Sequence, residues 1–228
     1  MDFLSYYSEA QPRGGLCIDS VDVNAPLIVS GFGFNHSNTR NQASLIDSTN
    51  VDILDINFHY APANSNEKRG APAVTAQAIF LKSGRELVAI NRESGCQYWT
   101  FTTPDTRGSS RSASILFVPA SETASAVVYA ADSNGYVYAV RAESGEALWQ
   151  TFAGTNPTYH FITGGMQHYQ GKLFVPLSSK ELLETLFDPE ACCKSHGVLA
   201  VPEANTGASS IQCHQWRTYQ RLCGNCLS

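Results

Sequence analysis

Ala89-Ile90-Asn91-Arg92-Glu93-Ser94-Gly95-Cys96-Gln97-Tyr98-Trp99 and Ala139-Val140-Arg141-Ala142-Glu143-Ser144-Gly145-Glu146-Ala147-Leu148-Trp149 are two copies of one frame. Ala, Glu-Ser-Gly and Trp recur at the same internal spacing, and the copies lie 149 − 99 = 50 residues apart. Self-similarity at a fixed period is the mark of a repeat architecture. A looser third copy runs Ala200-Val201, Asn205-Thr206-Gly207 and Trp216-Arg217-Thr218-Tyr219. Its Gly-to-Trp gap is 216 − 207 = 9 against 99 − 95 = 4 in the first copy, so it carries an insertion.

Upstream of each Trp the residues alternate as strands do. Val127-Val128-Tyr129-Ala130-Ala131 and Tyr136-Val137-Tyr138-Ala139-Val140 flank Ser133-Asn134-Gly135, and Asn-Gly between β-branched and aromatic runs signals a hairpin. Ile79-Phe80-Leu81, the turn Lys82-Ser83-Gly84 and Leu87-Val88-Ala89-Ile90 repeat the design. Each unit therefore reads as a β-meander that cannot cover both of its faces alone, so stacking must bury its apolar side chains. A period near 50 with about four strands per unit predicts propeller blades. The alternative is a β-sandwich, which does not need Ala, Gly and Trp in fixed register.

Composition agrees with a β-rich, turn-rich chain: charged residues are 15%, against roughly 25% in an average globular protein. With 15 Lys plus Arg against 20 Asp plus Glu, the net charge of −5 and the lack of basic blocks exclude nucleic acid as a partner. No apolar run approaches the roughly 18 residues of a membrane span. The start of the chain, Met1 to Leu16, lacks a cationic region followed by an apolar one, so no signal peptide is expected. Either the protein stays inside the cell or its true start is missing. Seven cysteines are an odd number, which leaves at least one unpaired within the chain.

Residues 1–72 lack the frame and are expected to be mostly irregular. Within them Thr49-Asn50-Val51-Asp52 has the form of a helix start, and residues 53–58 could finish as a strand. A second short helix is expected over 180–187, with Ser178 and Glu181 as a capping box and Asp188-Pro189 as its stop. Residues 73–219 divide into blades at about 73–101, 113–152 and 172–219, leaving 220–228 as an unpatterned tail.

The repeated frame resembles the tryptophan-docking frame of the quinoprotein propellers, the dehydrogenases that use pyrroloquinoline quinone (PQQ). Both good copies carry its Ala, Gly and Trp. Within that superfamily the chain resembles the polyvinyl alcohol dehydrogenases. Gly31-Phe32-Gly33-Phe34-Asn35, Asn38-Thr39-Arg40, Arg111-Ser112-Ala113, Ile162-Thr163-Gly164, Val175-Pro176 and Cys192-Cys193 come in the family's order. Phe58 stands where the family usually has Trp, and His196 where Arg is expected. The resemblance implies an all-β fold, about three four-stranded blades of an eight-bladed quinoprotein-type propeller, and an N-terminal fragment of such a protein. It also implies oxidation of a secondary alcohol, either a small molecule or a polymer, by hydride transfer to PQQ. Ca²⁺ would assist, a cytochrome would accept the electrons, and the location would be periplasmic or extracellular. No haem is implied, since Cys223-Gly224-Asn225-Cys226 is followed by Leu227.

By the same resemblance, neighbouring cysteines Cys192 and Cys193 could form a disulfide lying over the quinone, or be two small strand residues facing opposite ways. Arg111 could present its fork to the quinone carboxylates, or be a solvated loop arginine. The catalytic base is unassigned, and no metal ligand is assigned: Glu181 suits Ca²⁺ chemically, but its capping-box position already accounts for it. Cys223 and Cys226 have the Cys-x₂-Cys spacing of half a zinc site, but Cys213-His214 lacks the usual spacer, so no zinc is assigned to Cys213, His214, Cys223 and Cys226. Trp99, Trp149 and Trp216 are read as packing residues between blades. A chain with so few blades is expected to be inactive alone and prone to self-association through open edges. A non-catalytic propeller-repeat scaffold or binding module is the alternative.

Overall fold

The computed structural model describes residues 15–34, 37–40, 44–60, 70–104, 112–122, 124–188 and 194–212. Among them the fold is three antiparallel sheets laid side by side. The first has the order β1 (Leu27–Val29), β2 (Ala73–Thr75), β3 (Ala78–Ser83), β4 (Glu86–Asn91) and β5 (Gln97–Thr102). The second is β6 (Ser112–Val118), β7 (Val127–Asp132), β8 (Tyr136–Arg141) and β9 (Ala147–Phe152). In the third, β10 (His160–Phe161) and β11 (Gln167–Tyr169) both pair with β12 (Lys172–Ser179), followed by β13 (Val198–Pro202) and β14 (Ser209–Gln212). Its inner-strand position is thus filled by two short pieces upstream of residue 172, and β1 adds a strand from the N-terminal segment to the first sheet.

Side-chain alternation decides how the sheets stack. Ile115, Phe117, Val128, Ala130 and Val140 of the second sheet pack on Phe80, Leu87, Ala89 and Trp99 of the first. The intervening residues Leu116, Tyr129, Ala131, Val137 and Ala139 point the other way, onto Leu173, Val175, Val198 and Ala200 of the third. A strand buried on both faces reads as a continuous apolar run, which is why 127–131 and 136–140 carry almost no polar residue. The second sheet is therefore the middle layer of a row of blades, and the two copies of the frame lie in different sheets.

The frame itself builds the contact between blades. Ala89 pairs with Trp99 and Ala139 with Trp149, each just before a one-residue irregularity in the ladder. The turn between closes identically in all three copies: Gly95 N donates to Asn91 O, Gly145 N to Arg141 O and Gly207 N to Glu203 O. The three glycines have φ of 74°, 76° and 70°, a conformation an L side chain rarely adopts. The bare Cα of Gly145 receives the indole of Trp99, and that of Gly207 receives Trp149. Trp99 Nε1 donates to Ala142 O at 2.9 Å and Trp149 Nε1 to Ala204 O at 3.0 Å, in each case three residues before the glycine. Trp99 is buried and Trp149 half-buried, whereas Trp216 lies outside the described residues.

The same seat on the first blade, Gly95, is taken by the ring of Phe58. Residues 54–60 thus sit where an outer strand of a preceding blade would lie. The strand expected over 53–58 does not form, because its backbone finds no neighbour to pair with. Upstream, a single 3₁₀ turn, Val51–Ile53, replaces the Thr49-capped helix. Thr49 is drawn instead to Asp47, which accepts from both its N and its Oγ1. The later helix is also shorter than expected: α1 spans Glu181–Thr185, and Ser179 rather than Ser178 accepts from Glu181 N.

Before β2 the chain wraps the blades. Ser30 O accepts from Phe117 N, Gly31 bridges to Leu116, and Phe32 packs on Gly165. Residues 27–32 therefore run along the inner strands of all three sheets in turn.

Candidate functional site

Antiparallel alternation sorts the loops into two ends. The docking turns occupy one. At the other lie the β3–β4 turn, the link after β5, the β7–β8 turn, the link between β9 and β10, and the long connection from β12 through α1 to β13. Lys82, Asp132, Tyr138, His160 and Glu181 all stand at this second end.

Between the first two blades, Lys82 and Asp132 are both buried. Desolvation pulls the Lys82 ammonium down to about 8, although the charge of Asp132 partly restores it. Asp132 Oδ1 accepts from Asn134 N and Tyr136 N, and its Oδ2 accepts from Tyr138 Oη at 2.8 Å. Burial and the Asp132 charge push the Tyr138 phenol well above its ordinary range, so it remains a donor at any physiological pH. Arg85 donates through Nε and Nη2 to Thr103 O, tying the β3–β4 turn to the end of β5.

At the third blade His160 is 1% exposed. Its Nδ1 accepts from Thr155 N and Asn156 N, which leaves Nε2 as the protonated nitrogen donating to His196 O at 3.1 Å. Burial holds the imidazole below its ordinary value, so the ring is neutral and structural. Glu181, 6% exposed, draws together two separate stretches. Its carboxylate accepts from the backbone of Lys194 and Ser195 and from the hydroxyls of Ser179 and Ser195. Burial pushes this carboxyl up, but those donors outweigh it and leave it below its ordinary value.

The sequence-expected contacts Arg111, Cys192 and Cys193 lie outside the described residues, as do Cys213, His214, Cys223, Cys226 and the tail. Their flanks are described. Ser112 pairs with Asp132, and Lys194 is bound by Glu181, so these two described flanks lie at the same end of the blades. Calcium is a different matter. Among the described residues no three of His, Cys, Asp and Glu come together, and Glu181 directs both carboxylate oxygens to protein donors. This donor set does not make a Ca²⁺ site.

Sequence reasoning missed two features. Cys17 and Cys96, 79 residues apart, form a disulfide, and nothing in a count of seven cysteines pairs them. The Asp132–Tyr138 pair was also hidden, because each residue alone reads as ordinary strand or turn. No helix among the described residues is long and apolar enough to cross a membrane.

A family profile described as "Outer membrane protein assembly factor BamB" (PQQ_2) matches residues 59–184. A polyvinylalcohol dehydrogenase of Pseudomonas sp. is 28% identical over 204 residues, covering 89% of this chain and 30% of that protein. That of Sphingopyxis sp. (strain 113P3) is 28% identical over 159 residues, covering 69% and 24%. Among solved structures, a europium-containing methanol dehydrogenase superposes with a TM-score of 0.61 at 18% identity, over 81% of this chain and 31% of that one. The quinohemoprotein alcohol dehydrogenase of Comamonas testosteroni gives 0.60 at 18% identity, over 86% and 30%. The chain spans about a third or less of each of these relatives. With tryptophans seated on glycines in successive blades and a family match over more than half its length, the chain belongs to the PQQ_2 family of quinoprotein-type β-propellers.

Proposed function

We propose that this chain forms part of the wall of a PQQ site in an alcohol-oxidising propeller and does not turn over substrate by itself. The observation that carries this reading is the indole-on-glycine docking of successive blades, in a chain that resembles polyvinyl alcohol dehydrogenases at 28% identity. Residues 73–219 supply the blades, 1–72 the segment that wraps and precedes them, and 220–228 the tail. Arg111 would address the quinone carboxylates, and Cys192 with Cys193 would cover one face of the ring. PQQ, when bound, accepts the carbinol hydride of a secondary alcohol. The chain's own part is to position: Asp132 holds the strand end beside Arg111, and Glu181 holds the backbone beside Cys193.

Calcium would assist from ligands outside the described residues, and a cytochrome would accept the electrons. The alcohol is a small molecule or a polymer. A periplasmic or extracellular location agrees with the Cys17–Cys96 disulfide, which persists in oxidising compartments. Water exclusion around the quinone needs walls from all blades. That is why three sheets should bind PQQ weakly and why their open faces should self-associate.

Titrating the 228-residue protein with PQQ by fluorescence, alongside dye reduction with a secondary alcohol, tests the reading. Weak binding that is lost in a Cys192→Ser/Cys193→Ser variant, without dye reduction, is expected. Turnover by the purified chain would overturn the claim of inactivity, and binding indifferent to Arg111→Gln and to the cysteine pair would overturn the site. The second reading, a non-catalytic scaffold, draws on the prior engagement of Lys82, Arg85 and Lys194 by Gly84, Thr103 and Glu184.

A further inference from the structure

We infer that Cys17–Cys96 is a redox-modification site at which a dithiol reductant loosens the seat of residues 54–60 on the first blade. The disulfide ties the start of the described chain to the docking turn that receives Phe58. Residues 15–17 lie beside β5 as a short parallel bridge, where Cys17 N donates to Gln97 O and Gln97 N donates to Gly15 O, both at 2.9 Å. Among the described residues little else holds them there. Leu16 is 76% and Ile18 106% exposed, and the first buried apolar side chain among the described residues is Val21. Two hydrogen bonds reached by water hold a strand weakly, so the covalent bond is the main tether.

The segment 54–60 uses the same few residues. Phe58 rests on Gly95, Asn57 Nδ2 donates to Glu93 O at 2.9 Å, and Tyr60 Oη donates to Gln97 Oε1 at 3.1 Å. Gln97 is therefore held through its backbone by the Cys17 strand and through its side chain by Tyr60. Loss of one partner frees the residue that orients the other, and such coupling acts in both directions. The second blade has no equivalent: there the residue after the glycine is Glu146, whose carboxylate pairs with Arg141 within the same turn at 3.0 Å. Only the first blade's turn is fastened to a distant part of the chain by a reducible bond among the described residues.

Both cysteines are half-buried, within reach of a small thiol. A thiolate of the dithiol attacks one sulfur, forms a mixed disulfide and releases the other cysteine. The second thiol then closes a cyclic disulfide on the reagent and releases the first. The reagent gives up two electrons and two protons, which the two cysteines retain as thiols.

Limited chymotrypsin digestion read by mass spectrometry on the 228-residue protein, oxidised and reduced by dithiothreitol, tests the inference, because cleavage after Phe58 and Tyr60 requires their rings to leave the first blade. Cleavage after Phe58 and Tyr60 should be about fivefold faster or more after reduction, while cleavage after Phe161 in the third blade keeps its rate. A Cys17→Ser/Cys96→Ser variant should match the reduced protein, and in Gln97→Ala reduction should add little further cleavage at Phe58 and Tyr60. Unchanged cleavage there, with alkylation confirming free Cys17 and Cys96, would overturn it. So would a uniform acceleration that includes Phe161, or alkylation of both cysteines in the oxidised protein.

Discussion

Gly145→Ala should destabilise the protein far more than the same substitution at Gly171. Their backbones are equivalent, with φ of 76° and 75°, so an added Cβ meets the same left-handed strain, about 1–2 kcal/mol. What surrounds them differs. A Cβ at Gly171 meets nothing within 4 Å, whereas one at Gly145 would stand 2.8 Å from Cδ2 and 2.9 Å from Cε3 of Trp99. The indole must retreat. It is 8% exposed and packs against Phe80 at 5.9 Å between ring centroids, so retreat disturbs the layer between the first two sheets. It also draws Nε1 from Ala142 O, and a buried donor left without its acceptor costs about 1–3 kcal/mol. The expected totals are about 2–5 kcal/mol for Gly145→Ala and about 1–2 kcal/mol for Gly171→Ala. With a urea dependence of about 1–3 kcal/mol per molar, the two variants should separate by about 1 M in urea midpoint. Unfolding followed by circular dichroism, with tryptophan emission as second probe, reads the difference. Equal midpoints would refute the claim that the bare Cα at Gly145 exists to admit the neighbouring indole.

Stability should fall on the acid side in two stages. The folded His160 has a depressed pKa, so the unfolded chain binds more protons as pH drops through the imidazole range, and stability is lost from about pH 6.5 downward. Glu181 is also depressed; its contribution is present above about pH 4.5 and disappears as pH falls through its folded value. Thermal midpoints across pH 3–8 should show both limbs, the upper flattened in His160→Gln and the lower in Glu181→Gln; an unaltered profile in either variant would remove that assignment. Phe58→Trp should stabilise by about 1 kcal/mol, because an indole on Gly95 can donate to Arg92 O, three residues before the glycine as Ala142 and Ala204 stand before theirs. A lower urea midpoint in that variant would mean that the first seat differs from the other two.

What repeats was legible before any coordinates. The paired frames ending at Trp99 and Trp149 fix a glycine of positive φ, a strand on either side and an aromatic at a set distance. These are local relations, satisfied within a dozen residues, so composition and spacing are enough to reveal them. From them followed the all-β blades and the structural role of the indoles; Phe58 stood out as a substitute for Trp, though not for the seat it takes. The short helices differ from expectation at their caps for an equally local reason: Asp47 competes for Thr49, and Ser179 replaces Ser178. Only the tertiary structure brought Cys17 to Cys96, Tyr60 to Gln97, Glu181 to Lys194 and Ser195, and residues 27–32 across three blades. Each of these contacts occurs once and joins stretches with no common period. Periodicity carries information only about what recurs, whereas a single long-range contact is chosen by the packing of everything between its two ends.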